Sequence, residues 1–116
     1  GVSRVTANAM EASWRSGTVI ERASANTIAD GIAVRTHVPE ALEDMKGLVD
    51  DVVLVSEDGL VHAMKMMFDR AGLVIEPAGI AGVAAVLEHQ HLRSERLATI
   101  LCGSNLTSEQ INTWLR

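Results

Sequence analysis

A chain of 116 residues with 47% hydrophobic and 22% charged side chains has the makeup of one packed domain, which excludes disordered, collagen-like and low-complexity classes. Fifteen acidic against ten basic residues leave a net charge of -5 with the cations dispersed, and Trp14, Phe68 and Trp114 are too scattered to stack bases, so the pattern argues against nucleic acid as a partner. The longest near-apolar stretch, Ala78 to Leu87, falls short of the roughly 20 residues of a membrane helix, and the lone Cys102 precludes an internal disulfide and fits a reducing compartment, with the cytoplasm as expected address.

No charged-then-apolar leader follows Gly1, so no secretory signal is expected, and the chain can begin mid-protein. Ala7 to Ser16 reads as a short helix with Ala7, Met10 and Trp14 on one face and Gly17 as its stop. Ser24 to Thr27 reads as a loop, after which Thr27 can cap a turn holding Ile28, Ala29, Asp30 and Gly31. Pro39 suits a first helical turn, and Ala41, Leu42, Met45, Leu48 and Val49 continue at helical spacing to about Val49. Val52 to Val55 is a β-branched, apolar run of the kind found in a strand buried on both faces. Ser56, Glu57 and Asp58 then cap a helix that buries Leu60, Val61, Met64, Met67 and Phe68 and ends at Gly72.

Leu73 to Ile75 is too short to assign. Pro77 opens a helix from Ala78 to about His89, whose Ala, Gly and Val residues suit close packing. Leu97 to Leu101 is expected to be a second buried strand, followed by a Gly103-Ser104-Asn105 turn and a Thr107-x-x-Gln110 capping box that starts a last helix. Strands alternating with helices imply α/β architecture with a partial parallel sheet flanked by helices. So small a sheet has edges that need cover, which predicts a homo-oligomer or another completing element. No repeat, linker or internal boundary is visible, so residues 1–116 read as a single segment.

Four stretches place polar groups beside apolar ones: Thr27 to Gly31, Ser56 to Asp58, Glu76 to Gly79, and Cys102 to Asn105. Glu76 is a carboxylate inside Leu-Val-Ile-Glu-Pro-Ala-Gly, either a solvated strand end or a site residue. Cys102 closes the predicted strand at the end where open α/β sheets bind ligands, and it can equally be a small core residue. Asp30 can be simply an Asx-turn residue. His89 and His91 lack a Cys or carboxylate cluster in register and read as solvated surface, so no metal is expected. Met64, Met66 and Met67 read as core packing. Local motifs by themselves name no function.

Read in order, however, the opening Gly-Val, residues 27–34 (Thr-Ile-Ala-Asp-Gly-Ile-Ala-Val), 50–58 (Asp-Asp-Val-Val-Leu-Val-Ser-Glu-Asp), 75–79 (Ile-Glu-Pro-Ala-Gly) and 102–105 (Cys-Gly-Ser-Asn) resemble the fold-type-II pyridoxal-phosphate enzymes of the threonine dehydratase and serine racemase group. The resemblance implies the C-terminal part of a catalytic domain of the tryptophan synthase beta-like fold. It implies Cys102 facing the pyridine nitrogen of pyridoxal phosphate, Gly31 along the ring oxygen edge, Glu76 near the ring and the substrate amine, and Gly103 and Asn105 shaping the turn around the ring. A weak donor at the ring nitrogen favours elimination over transamination.

The same resemblance places the Schiff-base lysine, the Ser-x-Gly-Asn-His substrate loop and the glycine-rich phosphate cup upstream of residue 1. The lysines present, Lys46 and Lys65, fall on predicted helices outside the motifs. Ser3-Arg4 stands where the group has Glu-Pro, Ala9 stands where it has a second acidic metal position, and Ser104 replaces a turn glycine. Two readings follow. One is a segment of a threonine or serine ammonia-lyase, inactive alone, that completes its site for a small amino-acid substrate with an N-terminal portion; the other is a non-catalytic remnant that serves ligand binding or protein interaction.

Overall fold

The computed structural model describes residues 1–116. Its sheet has two strands, β1 (Val2–Arg4) and β2 (Val53–Val55), paired in parallel with Val2 opposite Val53 and Arg4 opposite Val55. Parallel neighbours require a long crossover, and here it carries α1 (Ala9–Ser16), a 3-10 turn (Asp30–Ile32) and α2 (Pro39–Met45). The strand read at residues 52–55 is therefore present. Its partner was not legible locally, because β1 is three residues long and its mate lies some fifty positions on.

The chain divides into two compact units, residues 1–56 and 57–116. In the first, Gly17 ends α1 in the left-handed conformation (φ 74°) that glycine adopts freely, as the sequence predicts. Pro39 occupies the first turn of α2, but this helix stops at Met45 rather than near Val49, since Gly47 takes φ 72° and leaves Leu48 exposed. Ala7, Ala9, Ala29, Leu42, Val52, Val53 and Val55 form the core.

The second unit holds α3 (Glu57–Ala71), α4 (Ala81–Glu88) and α5 (Ser108–Trp114). Glu57 and Asp58 complement the positive end of α3, and Gly72 turns the chain at its other end with φ 67°. Ala81, Ala84 and Ala85 are buried where α4 packs on α3, against Leu60, Ala63 and Met64. Small side chains let the two backbones approach. The capping box forms in full: the Thr107 hydroxyl accepts from Gln110 N–H at 3.2 Å while the Gln110 side chain accepts from Thr107 N–H at 2.8 Å.

Two expectations are corrected. The helix predicted from Ala78 begins at Ala81, because residues 77–80 form a turn closed by Ile80 N–H on the Glu76 carbonyl at 3.2 Å. Residues 97–101 are not a strand; Leu97, Ile100 and Leu101 are 49%, 82% and 39% exposed. The run has strand composition, but a strand exists only where a neighbour completes its ladder, and β1 and β2 pair with each other instead.

Candidate functional site

Gly31 lies in the first unit on the 3-10 turn, where the Asp30 carboxylate accepts its N–H at 2.8 Å, one residue on rather than the two of an Asx turn. Thr27 sets this turn in place. Its hydroxyl oxygen accepts the Ala29 N–H at 2.9 Å and also a hydrogen bond from the Arg4 guanidinium. Arg4 is wholly buried, and its Nε reaches the Val55 carbonyl at 3.4 Å. Gly31, Ile32, Val2, Met10 and Met45 line an apolar cleft of about 240 Å³.

The other four candidate residues come together in the second unit. Glu76 N–H donates to the Gly103 carbonyl at 3.0 Å, and Glu76 Oε2 accepts the Asn105 N–H at 3.3 Å. This half-buried carboxylate thus faces the turn of its own chain, and the solvated strand end is the weaker reading. Gly103 has φ 73°, and a Cβ there would overlap the Glu76 carboxylate, with Oε2 at 2.6 Å. Conformation favours glycine, and any larger residue would displace the Glu76 carboxylate. Beside it Cys102 is exposed, which corrects the expectation that it closes a buried strand. It lines a shallow cleft of about 330 Å³ with Leu73, Val74, Ile75, Leu101, Gly103 and Ser104.

Each lysine holds a local partner. Lys65 Nζ donates to the Leu115 carbonyl at 3.1 Å and pairs with Asp69 at 3.5 Å, while Lys46 Nζ pairs with Glu43 at 2.5 Å. His89 and His91 meet edge to face with ring centroids 5.7 Å apart. Arg15, hydrogen-bonded to Glu11 and near Asp51, is held above its ordinary range chiefly by the Glu11 contact, and it ties α1 to the Val52 carbonyl at 2.9 Å. That network is structural. Sequence reasoning assigned Arg4 and Gly79 no role of their own, although Arg4 is a charged residue between Val2 and Val5 and Gly79 lies just ahead of an alanine-rich helix; in the fold Arg4 is buried and Gly79 faces the Cys102 backbone.

Residues 1–103 match the family model of pyridoxal-phosphate dependent enzymes, and the chain belongs to that family. Among curated relatives, the L-threonine ammonia-lyase of Thermotoga maritima is 33% identical over 112 residues, covering 97% of this chain and 28% of that protein. Among solved structures, a threonine deaminase from T.th. superposes with a TM-score of 0.86 at 30% identity, covering 92% of this chain and 39% of that one. Maize serine racemase gives 0.83 at 28% identity, covering 96% and 35%. The chain spans about a third of the length of the curated relatives it matches. No helix is long and apolar enough to cross a membrane.

Proposed function

We propose that this chain forms the ring-facing wall of the cofactor site in a pyridoxal-phosphate-dependent ammonia-lyase acting on threonine or serine, and that it works only together with a lysine-bearing, phosphate-binding portion of the same fold. The observation that carries this is the turn in which Glu76 holds Gly103 and Asn105 while the Cys102 thiol stays exposed beside them. Pyridoxal phosphate, when bound, supplies an electron sink for charge developing at the substrate α-carbon. Its ring edge needs a shaped wall with a weak donor, and the exposed thiol and glycine turn fit that need. Its aldehyde and phosphate ends need an amine and a phosphate cup. The residues present do not fit those, since Lys46 and Lys65 each hold a local partner and no glycine-rich phosphate loop occurs in the sequence.

In this reading Cys102 would stand at the ring nitrogen and offer it a weaker donor than a carboxylic acid, which would dispose the site to elimination. Gly103 and Asn105 shape the wall, and Glu76 keeps that wall fixed at the ring and substrate-amine side. For Gly31 the resemblance implies a place along the ring oxygen edge. We further take the assembly to be cytoplasmic and homo-oligomeric.

The test is keto-acid formation. The purified chain with pyridoxal phosphate and L-threonine or L-serine is expected to yield no 2-oxobutanoate or pyruvate. Reconstitution with the lysine-bearing portion of a relative is expected to yield them. Turnover by the pure chain refutes the dependence on a second portion. A stable reconstituted complex that binds cofactor without turnover refutes catalysis and leaves a ligand-binding module.

A further inference from the structure

The segment that carries the thiol, residues 97–102, has no strand ladder to fix it. Its position rests on what it leans against in the second unit. Thr99 lies against Gly82, where a Cβ would sit 3.0 Å from the Thr99 Cβ. The Cys102 backbone lies against Gly79, where a Cβ would overlap the carbonyl oxygen and come within 2.7 Å of the carbonyl carbon and 3.3 Å of the nitrogen. Beyond it, Gly103 is held by Glu76.

Gly79 is not required by backbone conformation. The glycines with positive φ are Gly17, Gly47, Gly72 and Gly103, so position 79 lies in a region open to any L-residue. Alanine there would restrict the unfolded chain and, without a steric obstacle, would stabilise the protein. The obstacle is Cys102 itself. Gly79 is buried, so an added methyl has no solvent to turn toward, and the atoms it meets are backbone rather than the far end of a flexible side chain.

We infer that Gly79 is a positioning residue: its absent side chain is the slot that seats the Cys102 carbonyl, and this seat fixes where the thiol is presented. The inference rests on the proposed role of Cys102 at the cofactor ring, but its physical content stands without cofactor. Glu76 and Gly79 belong to one turn, closed by Ile80 N–H on the Glu76 carbonyl, and both meet residues 102–105.

Because Cys102 is the only cysteine, iodoacetamide alkylation of the 116-residue chain reports that one side chain. The parent rate, set against the guanidinium-unfolded chain, defines the seated thiol. Gly79→Ala is expected to change the native rate by about threefold or more while the helical circular dichroism is kept. Leu42→Val, which loosens the core of the first unit and alters no residue of the second, is expected to leave the rate unchanged. An unchanged rate in folded Gly79→Ala, or an equal change in Leu42→Val, overturns the inference. Should Gly79→Ala fail to fold, hydrogen exchange on the parent decides: slow exchange at the Glu76 and Asn105 amides with fast exchange at Ile100 and Leu101 supports the seat, and fast exchange at all four overturns it. In the reconstituted complex, pyridoxal phosphate is expected to protect Cys102 from alkylation. Absence of protection, with the Gly79→Ala effect intact, removes the ring-facing role and leaves the seat.

Discussion

The buried guanidinium of Arg4 makes an unequal pair of mutational predictions. A hydrogen bond to a charged group is worth about 1.5–3 kcal/mol, against about 1 kcal/mol for a neutral one. In Arg4→Met the acceptors are not orphaned: Thr27 Oγ1 keeps the Ala29 N–H at 2.9 Å, and the Val55 carbonyl keeps the Val5 N–H at 3.2 Å. The buried charge is removed at the same time, so the expected loss is about 1 kcal/mol or less. Thr27→Val does the opposite. It takes one charged hydrogen bond from the guanidinium, which keeps Thr6 Oγ1 and the Val55 carbonyl at 3.4 Å each, and also strips the Ala29 N–H of its side-chain partner, for an expected loss of about 3 kcal/mol. With Met at position 4, Thr27→Val should cost only the neutral bond, about 1 kcal/mol, giving a coupling of about 2 kcal/mol. Urea unfolding of the four chains, with hydrogen exchange at the Ala29 and Ile32 amides, measures the cycle. If Arg4→Met costs more than Thr27→Val, or if the two losses add, the guanidinium does not hold this turn through Thr27.

Thr107→Ala removes one half of the capping box and should cost about 1 kcal/mol, with faster exchange at the Gln110 amide; no change would mean that α5 is held by Leu115 and its packing alone. Ile100→Asn should change stability of this chain by less than about 0.5 kcal/mol, because the side chain is 82% exposed, and a loss of several kcal/mol in thermal unfolding would restore the buried strand that the sequence suggests.

Features decided within a few residues were legible in advance. Gly17 and Gly72 end their helices, Pro39 opens one, and Thr107 with Gln110 builds its box, because each device needs only neighbouring backbone. Pairing was not legible in the same way. Val52–Val55 and Leu97–Leu101 have the same apolar, β-branched character, yet only the first forms a strand, and what separates them is a mate: Val2–Arg4 reaches the one. Composition reports willingness to be a strand, and a ladder requires a second chain segment at the right distance.

The site shows the same division between local chemistry and long-range geometry. That Glu76 is an unusual carboxylate could be argued from its apolar neighbours, but its partners lie about thirty residues on, at Gly103 and Asn105. Burial near Ile75 and Pro77 would be costly for a charge facing only side chains, and the Asn105 N–H, which reaches the carboxylate in the room that Gly103 leaves for it, offsets part of that cost. Gly103 therefore does two things: it takes a positive φ, which glycine adopts freely, and it leaves room for the carboxylate that holds its own turn, which a larger residue would push aside. Replacing the family's following glycine with Ser104 is compatible with this arrangement, because the positive φ belongs to position 103 and Ser104 contributes its carbonyl to the Leu106 N–H at 3.0 Å. The turn thus keeps its shape through Glu76 and Gly103, and Ser104 lines the cleft beside Cys102 without asking the backbone for a conformation that serine resists.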